Sequence, residues 1–160
     1  MVEAQINSFD DFMGRMLPQI FTDFSKVLIH TQFIKHIPPH IKHHLQLDEL
    51  AVCKPTVTEV DGTQHELTPM TARLRNLTYA SNASLRVRHM VTNTETGEEK
   101  VVSTDSLVFG RIPVMVRSSF CNLSYVRDNL TAVGECPYDT GGYFIVNGNE
   151  RCVIGQERML

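Results

Sequence analysis

Basic pairs, a histidine group and a double glycine are the side chains in this sequence whose types and spacing could do chemistry. Arg73 and Arg75 lie two residues apart in a short helical pattern, where guanidinium forks can grip phosphates or the carboxylates of a partner. Exposed or ion-paired arginines on a short helix fit the same spacing. Arg86 and Arg88 share one face of a strand pattern and could line a nucleic-acid groove, although outward charges are ordinary on a half-buried strand. His40, His43 and His44 invite a metal reading, but no Cys or carboxylate stands at ligand spacing, and solvated loop histidines are the plainer account. Gly141-Gly142 enters a strand, whereas the phosphate-cradling glycine motifs open a helix, so that chemistry is excluded. There is no Gly-x-Ser-x-Gly elbow, no His-Glu-x-x-His helix and no Asp-rich loop, so no catalytic constellation can be assigned.

The elements that must hold these residues follow from periodicity. Phe9, Phe12, Met13, Met16, Leu17 and Ile20 form one helical stripe, with Ser8 suited to cap its first turn and Pro18 expected to kink it or restart a second helix running toward Ile29. Pro38-Pro39 forces an extended or turn segment. Leu45 to Thr58 predicts strand pieces around a turn at Asp48-Glu49. Thr68-Pro69 is the signature of an N-cap followed by proline in the first helical turn. The alternation Leu85, Val87, His89, Val91 and the later apolar runs, separated by Asn93 to Lys100, predict a long antiparallel hairpin with an exposed tip. Pro113 demotes the run from Gly110 to Ser119 to an edge strand or two pieces. Ser124 to Val133 reads as a short helix stopped by Gly134, and Asn147-Gly148 between Tyr143–Val146 and Arg151–Ile154 predicts a second hairpin with a type I′ turn.

Composition sets the bounds. The chain is 42% hydrophobic and 21% charged, ordinary for one globular core. With 15 Lys+Arg against 18 Asp+Glu its formal net charge is −3, so it lacks the bulk positive field of a non-specific nucleic-acid binder, and little DNA affinity is expected at physiological salt. Cys53, Cys121, Cys136 and Cys152 include no Cys-x-x-Cys pair and read as reduced, partly buried thiols. No apolar run approaches the ~20 residues that span a bilayer. The chain opens almost directly in a helical pattern and stops at Leu160 without a terminating signal, the look of a segment of something longer.

Four stretches carry a resemblance. Thr71-Ala72-Arg73-Leu74-Arg75-Asn76-Leu77-Thr78-Tyr79, Gly110-Arg111-Ile112-Pro113-Val114-Met115-Val116-Arg117-Ser118, and Glu135-Cys136-Pro137-Tyr138-Asp139-Thr140-Gly141-Gly142-Tyr143-Phe144-Ile145-Val146-Asn147-Gly148 are similar, in this order, to motifs of the second-largest subunit of multisubunit DNA-directed RNA polymerases. Ile6 to Phe12 resembles an early helix of the same family, so the likeness runs along nearly the whole chain. Arg-Leu-Arg-Asn-Leu-Thr-Tyr and Glu-Cys-Pro resemble the polymerase II type most, while Val146 also suits the polymerase III type. Asn149, Cys152 and Gly155 depart from the residues common among relatives. The histidine-rich Lys35 to His44 suits a protist lineage or a large DNA virus equally well.

The resemblance implies an α+β fold, N-terminal helices packed on an antiparallel sheet with a long hairpin. Residues 1–160 would form a single protrusion-domain segment on one wall of the DNA cleft, ending before the inserted lobe and the return chain. It implies template-directed RNA synthesis by the whole complex with two Mg2+ ions held mainly by the largest subunit, no cofactor in this segment, and no activity of the segment alone. The implied partners are the largest and other polymerase subunits, template DNA, the RNA–DNA hybrid and transcription factors, with no membrane. The implied location is the nucleus for a cellular protein, or a cytoplasmic factory or virion for a viral one. The resemblance points to Arg151, Ile154 and Gln156 as lying near the RNA–DNA hybrid, Gln156 through neutral contacts to backbone or sugar, with capping of local backbone an equal alternative, and Arg73, Arg75 and Arg117 are further candidates for lying near nucleic acid. The competing expectation is a stand-alone interaction module derived from the same domain, which an open reading frame ending at Leu160 would favour.

Overall fold

The computed structural model describes residues 2–29, 41–126 and 129–155. His40, Gln156 and the Pro38-Pro39 segment lie outside the described residues. The chain divides into two compact units. The first comprises Met1–Gly14, Cys53–Asn82 and Arg111–Leu160, the second Arg15–Val52 and Ala83–Gly110. Helices and antiparallel strands occur in separate runs, which makes the class α+β, as expected.

The second unit is built on a sheet. Helix α2 (Leu17–Asp23) precedes strand β1 (Lys26–Ile29), which pairs antiparallel with β2 (Ile41–Val52) from Lys26↔Gln46 to Ile29↔His43. Pro18 sits in the first turn of α2, where its missing N–H costs nothing, so the helix restarts there as expected. The helix does not run to Ile29. Phe24 and Ser25 cap it, and the β-prone Val27-Leu28-Ile29 gains more by pairing with β2. Strands β5 (Ala80–Asn93) and β6 (Glu99–Pro113) complete the order β1-β2-β5-β6. The hairpin between them closes where Asn93 N–H donates to Glu98 O and Gly97, with φ 70, donates to Asn93 O.

The turn expected at Asp48-Glu49 is instead a bulge inside β2, where the register against β5 shifts between Leu47 and Glu49. The extra residue, Asp48, receives Arg88 Nε at 2.8 Å, and Arg86 pairs with Glu49 at 3.0 Å. These cross-strand ion pairs let a polar dipeptide continue through a strand. The Arg88 hydrogen bond holds the Asp48 carboxyl below the ordinary carboxylate range. His43, opposite Val91, lies diagonal to His89, which is opposite Leu45, with Nδ1 and Nε2 3.0 Å apart and ring centroids 5.2 Å apart.

The first unit holds the tightest packing. Its core is Leu67, Tyr79, Val114, Val116, Cys121, Leu123 and Ile145 with Phe9 and Met13. Helix α1 (Val2–Asp11) continues into a π-helical turn, Phe12–Met16. It begins six residues before Ser8, which is therefore interior rather than a cap, because Val2 reaches Gly142 and Phe9 meets Phe144 edge-on at 5.7 Å. Short strands β3 (Thr56–Thr58) and β4 (Gln64–Glu66) pair and lead to α3 (Pro69–Leu74). Thr68 caps α3 as its sequence predicts, its Oγ1 accepting from Thr71 N–H at 3.2 Å.

The helix expected over Ser124 to Val133 is two 3-10 turns, Asn122–Tyr125 and Leu130–Val133, the second closed by left-handed Gly134. Asn122 anchors the first of these turns. Buried in the first turn, it donates Nδ2 to the carbonyls of Pro55 and Leu67, both at 2.8 Å, and its N–H to Tyr79 Oη at 2.9 Å. Burial, and then the Cys121 thiol at 3.3 Å, push the Tyr79 hydroxyl pKa up. Strands β7 (Phe144–Val146) and β8 (Asn149–Arg151) form the second hairpin, with φ 50 at Asn147 and 76 at Gly148, the positive pair a type I′ turn requires.

Candidate functional site

The stretches that resemble one another's counterparts in a single family are far apart in sequence and adjacent in space. Tyr79 N–H donates to Ile145 O, Val114 N–H to Tyr79 O, Val116 N–H to Tyr143 O and Gly148 N–H to Leu77 O, at 2.9 to 3.0 Å. Three motif stretches thus share one backbone network in the first unit. Gly141 is needed where two of them cross. Its φ is 69, and a Cβ there would overlap Arg117 Cβ, Arg117 Cγ and the Val116 carbonyl.

Arg73 is the centre of the site. Helix α3 carries it toward the loop that follows Gly134, and its guanidinium meets three carboxylates. Nη1 donates to Glu135 Oε2 at 3.1 Å, Nε to Glu150 Oε1 at 2.7 Å, and Nη2 lies 3.9 Å from Asp139 Oδ2. Nη2 also donates to Tyr143 Oη, which in turn donates to Asp139 Oδ2. Asp139 Oδ1 accepts Gly141 N–H at 2.9 Å, so one carboxylate fixes both the glycine entry and the tyrosine. The Glu135 side chain is 4% exposed, and its Oε1 accepts Met70 N–H at 2.6 Å, in the first turn of α3.

Burial opposes the charge on Arg73, but its bonds to Glu150 and Glu135 outweigh that and raise its pKa above the ordinary value. Burial, then the bond to Asp139, raise the Tyr143 hydroxyl pKa. The guanidinium is therefore permanently charged, and Tyr143 is neutral across the physiological range. An open pocket of about 360 Å³ is lined by these groups with Gly134 and Cys136.

The other sequence-predicted residues are placed differently. Arg75 makes a two-pronged pair with Glu59, Nη2 to Oε2 at 3.0 Å. Arg117 adopts φ 72 and donates Nη2 to Cys136 O at 3.2 Å. Arg151 ends β8, exposed, opposite Phe144. Gln156 is outside the described residues. The structure therefore brings Arg73 and Arg117 to the same loop, 135–143, and directs Arg75 elsewhere. Glu135, Asp139, Tyr143 and Glu150 were not singled out from sequence. Their signal was available only as proximity to the third motif stretch, since acidic residues in a turn-rich run carry no spacing that identifies an arginine partner.

Among the described residues, no group of three or more His, Cys, Asp and Glu could hold a metal ion, and no helix is long and apolar enough to cross a membrane. Glu135, Asp139 and Glu150 come nearest to a carboxylate cluster. One guanidinium already neutralises part of their charge and occupies the space between them, so the donor set does not fit Mg2+. Such a site can hold a fold together and present a surface.

A structural α+β segment with an arginine-centred lock at the junction of its motifs is the class these observations define. The profile of the RNA polymerase beta subunit family matches residues 1–159, and the chain belongs to that family. It is 36% identical over 169 residues to DNA-directed RNA polymerase II subunit 2 of Arabidopsis thaliana, covering 99% of this chain and 14% of that protein. It is 37% identical over 174 residues to DNA-directed RNA polymerase II subunit RPB2 of Schizosaccharomyces pombe, again 99% and 14%. Against DNA-directed RNA polymerase subunit Rpo2 of Saccharolobus solfataricus it is 34% identical over 158 residues, 98% and 13%. The chain thus spans about one-seventh of the length of these relatives and corresponds to their N-terminal region.

Proposed function

We propose that this chain forms the protrusion, a cleft-wall segment, of the second-largest subunit of a multisubunit DNA-directed RNA polymerase. It supports template-directed RNA synthesis by shape rather than by chemistry. The observation that carries this reading is the convergence of the motif stretches on one hydrogen-bonded core whose charged groups are spent on each other. The Mg2+ ions that would stabilise the attacking and leaving oxygens belong, in this reading, to the largest subunit. The partners are the other polymerase subunits, the DNA template, the RNA–DNA hybrid and transcription factors. The place of action is the nucleus in a cell, or a cytoplasmic factory or virion for a viral enzyme.

Within the segment, Arg73 and Arg75 act by holding the wall in shape. Arg151, exposed at the end of β8 and without an ion-pair partner among the described residues, is the residue assigned to face nucleic acid, with Gln156 beyond it. Contacts of this kind go to phosphate or sugar and carry no sequence choice. A photo-crosslinking residue at position 151 of the assembled polymerase, paused on a template, is expected to label nucleic acid, while one at position 59 is not. Labelling at 59 but not at 151 would contradict the orientation.

A further inference from the structure

We propose that Asn147-Gly148 is a latent deamidation site that the docked β7–β8 hairpin keeps closed, with Thr78 as the clip. In deamidation the Gly148 backbone nitrogen gives up its proton and attacks Asn147 Cγ. The new N–Cγ bond closes a succinimide as the Cγ–Nδ2 bond breaks and ammonia leaves. Water then opens either ring C–N bond, leaving aspartate or isoaspartate. A following glycine, lacking Cβ, leaves this attack unhindered, and Asn147 is exposed to the water the second step consumes.

Both reacting groups are held here by residues that follow α3. The Thr78 hydroxyl accepts Asn147 N–H and donates to Asn147 Oδ1, both at 3.1 Å. Gly148 N–H donates to Leu77 O at 3.0 Å, so the nucleophile is tied to a carbonyl on another segment. The turn is also wedged in place. A Cβ at Gly148 would overlap Asn76 Oδ1 and Asn76 Cα and crowd the Arg73 carbonyl, and Asn76 itself has φ 54. For ring closure the Asn147 side chain must leave Thr78 and the Gly148 N–H must leave Leu77, which undocks the turn. Isoaspartate would add a methylene to the main chain, and a turn fitted this closely to its neighbours cannot take it. Age-dependent conversion at Asn147 would then release the hairpin from α3.

The test is peptide mapping by mass spectrometry of the intact protein after incubation in mildly alkaline buffer, scoring aspartate and isoaspartate at position 147. Thr78→Val keeps the branched shape and removes the hydroxyl; Thr78→Ser restores it. The native Thr78→Val protein is expected to convert at least about fivefold faster than wild type, fivefold being the factor for one net hydrogen bond when the hydroxyl makes two. Thr78→Ser should match wild type, and all three should convert at one faster rate in urea. A Thr78→Val rate equal to or below wild type overturns the proposal, the slower case meaning that the hydroxyl polarises the Asn147 carbonyl toward attack. Should the valine variant fail to fold, Gly148 amide exchange in wild type decides. Protection is expected, and exchange as fast as in an open loop overturns the lock.

Discussion

Replacing Arg73 by alanine lowers the unfolding free energy by about 3 to 5 kcal/mol, the range for breaking a buried ion pair by removing one partner. The loss is large because Glu135, at 4% side-chain exposure, is left as an uncompensated charge, and because Asp139 and Glu150 then lose the cation they share. Arg73→Lys recovers only part of it. An ammonium is a point donor and cannot span Glu135, Glu150 and Tyr143 at once as the planar fork does. Adding Glu135→Gln to Arg73→Ala should restore part of the stability by removing the stranded charge while keeping an acceptor for Met70 N–H. Urea unfolding followed by circular dichroism measures each variant. A loss below about 1 kcal/mol for Arg73→Ala would place the network among surface pairs that contribute little.

The second large effect is expected at Asn122. Its Nδ2 is the donor to two carbonyls, Pro55 O and Leu67 O, and Leu67 is 1% exposed. Asn122→Ala strands the Leu67 carbonyl, while Pro55 O keeps the Leu67 N–H at 3.0 Å, and is expected to cost about 1 to 3 kcal/mol, the range for one buried group left unsatisfied. Asn122→Asp should be worse than alanine, since it sets a carboxylate against two carbonyl oxygens. The same unfolding measurement checks both. Alanine costing more than aspartate would show that the site loses packing rather than hydrogen bonds.

What was legible in the sequence was local. Thr68-Pro69 announced the start of α3, and Asn147-Gly148 announced a type I′ turn, because each depends on the backbone preferences of two adjacent residues. Illegible features depended on distant partners. Asp48-Glu49 has turn chemistry, yet β2 passes through it because Arg88 and Arg86, on β5, take up both carboxylates. Ser124 to Val133 has helical spacing, yet Ser124 and Tyr125 belong to a 3-10 turn anchored through Asn122 by carbonyls 67 and 55 residues earlier in the chain.

Arg73 shows the limit for the site. The residue was identifiable as a recognition arginine, but a guanidinium fork fits phosphate and carboxylate alike. Its partners Glu135 and Glu150 lie 62 and 77 residues away, a separation that no periodicity encodes. The motif strings were readable as a family likeness before they were readable as physics. Their physical content is mutual: Gly141 makes room for Arg117, Asp139 holds Gly141 and Tyr143, and Arg73 closes the set.

The central claim, that this chain is a wall segment of a polymerase's second-largest subunit, is tested most directly by affinity isolation of the native protein from its source through a tag placed before residue 1. The expected result is a complex that contains a largest-subunit partner and makes RNA only with a DNA template, ribonucleotides and Mg2+. Isolation of the chain by itself, or of an assembly without template-dependent RNA synthesis, would contradict the account.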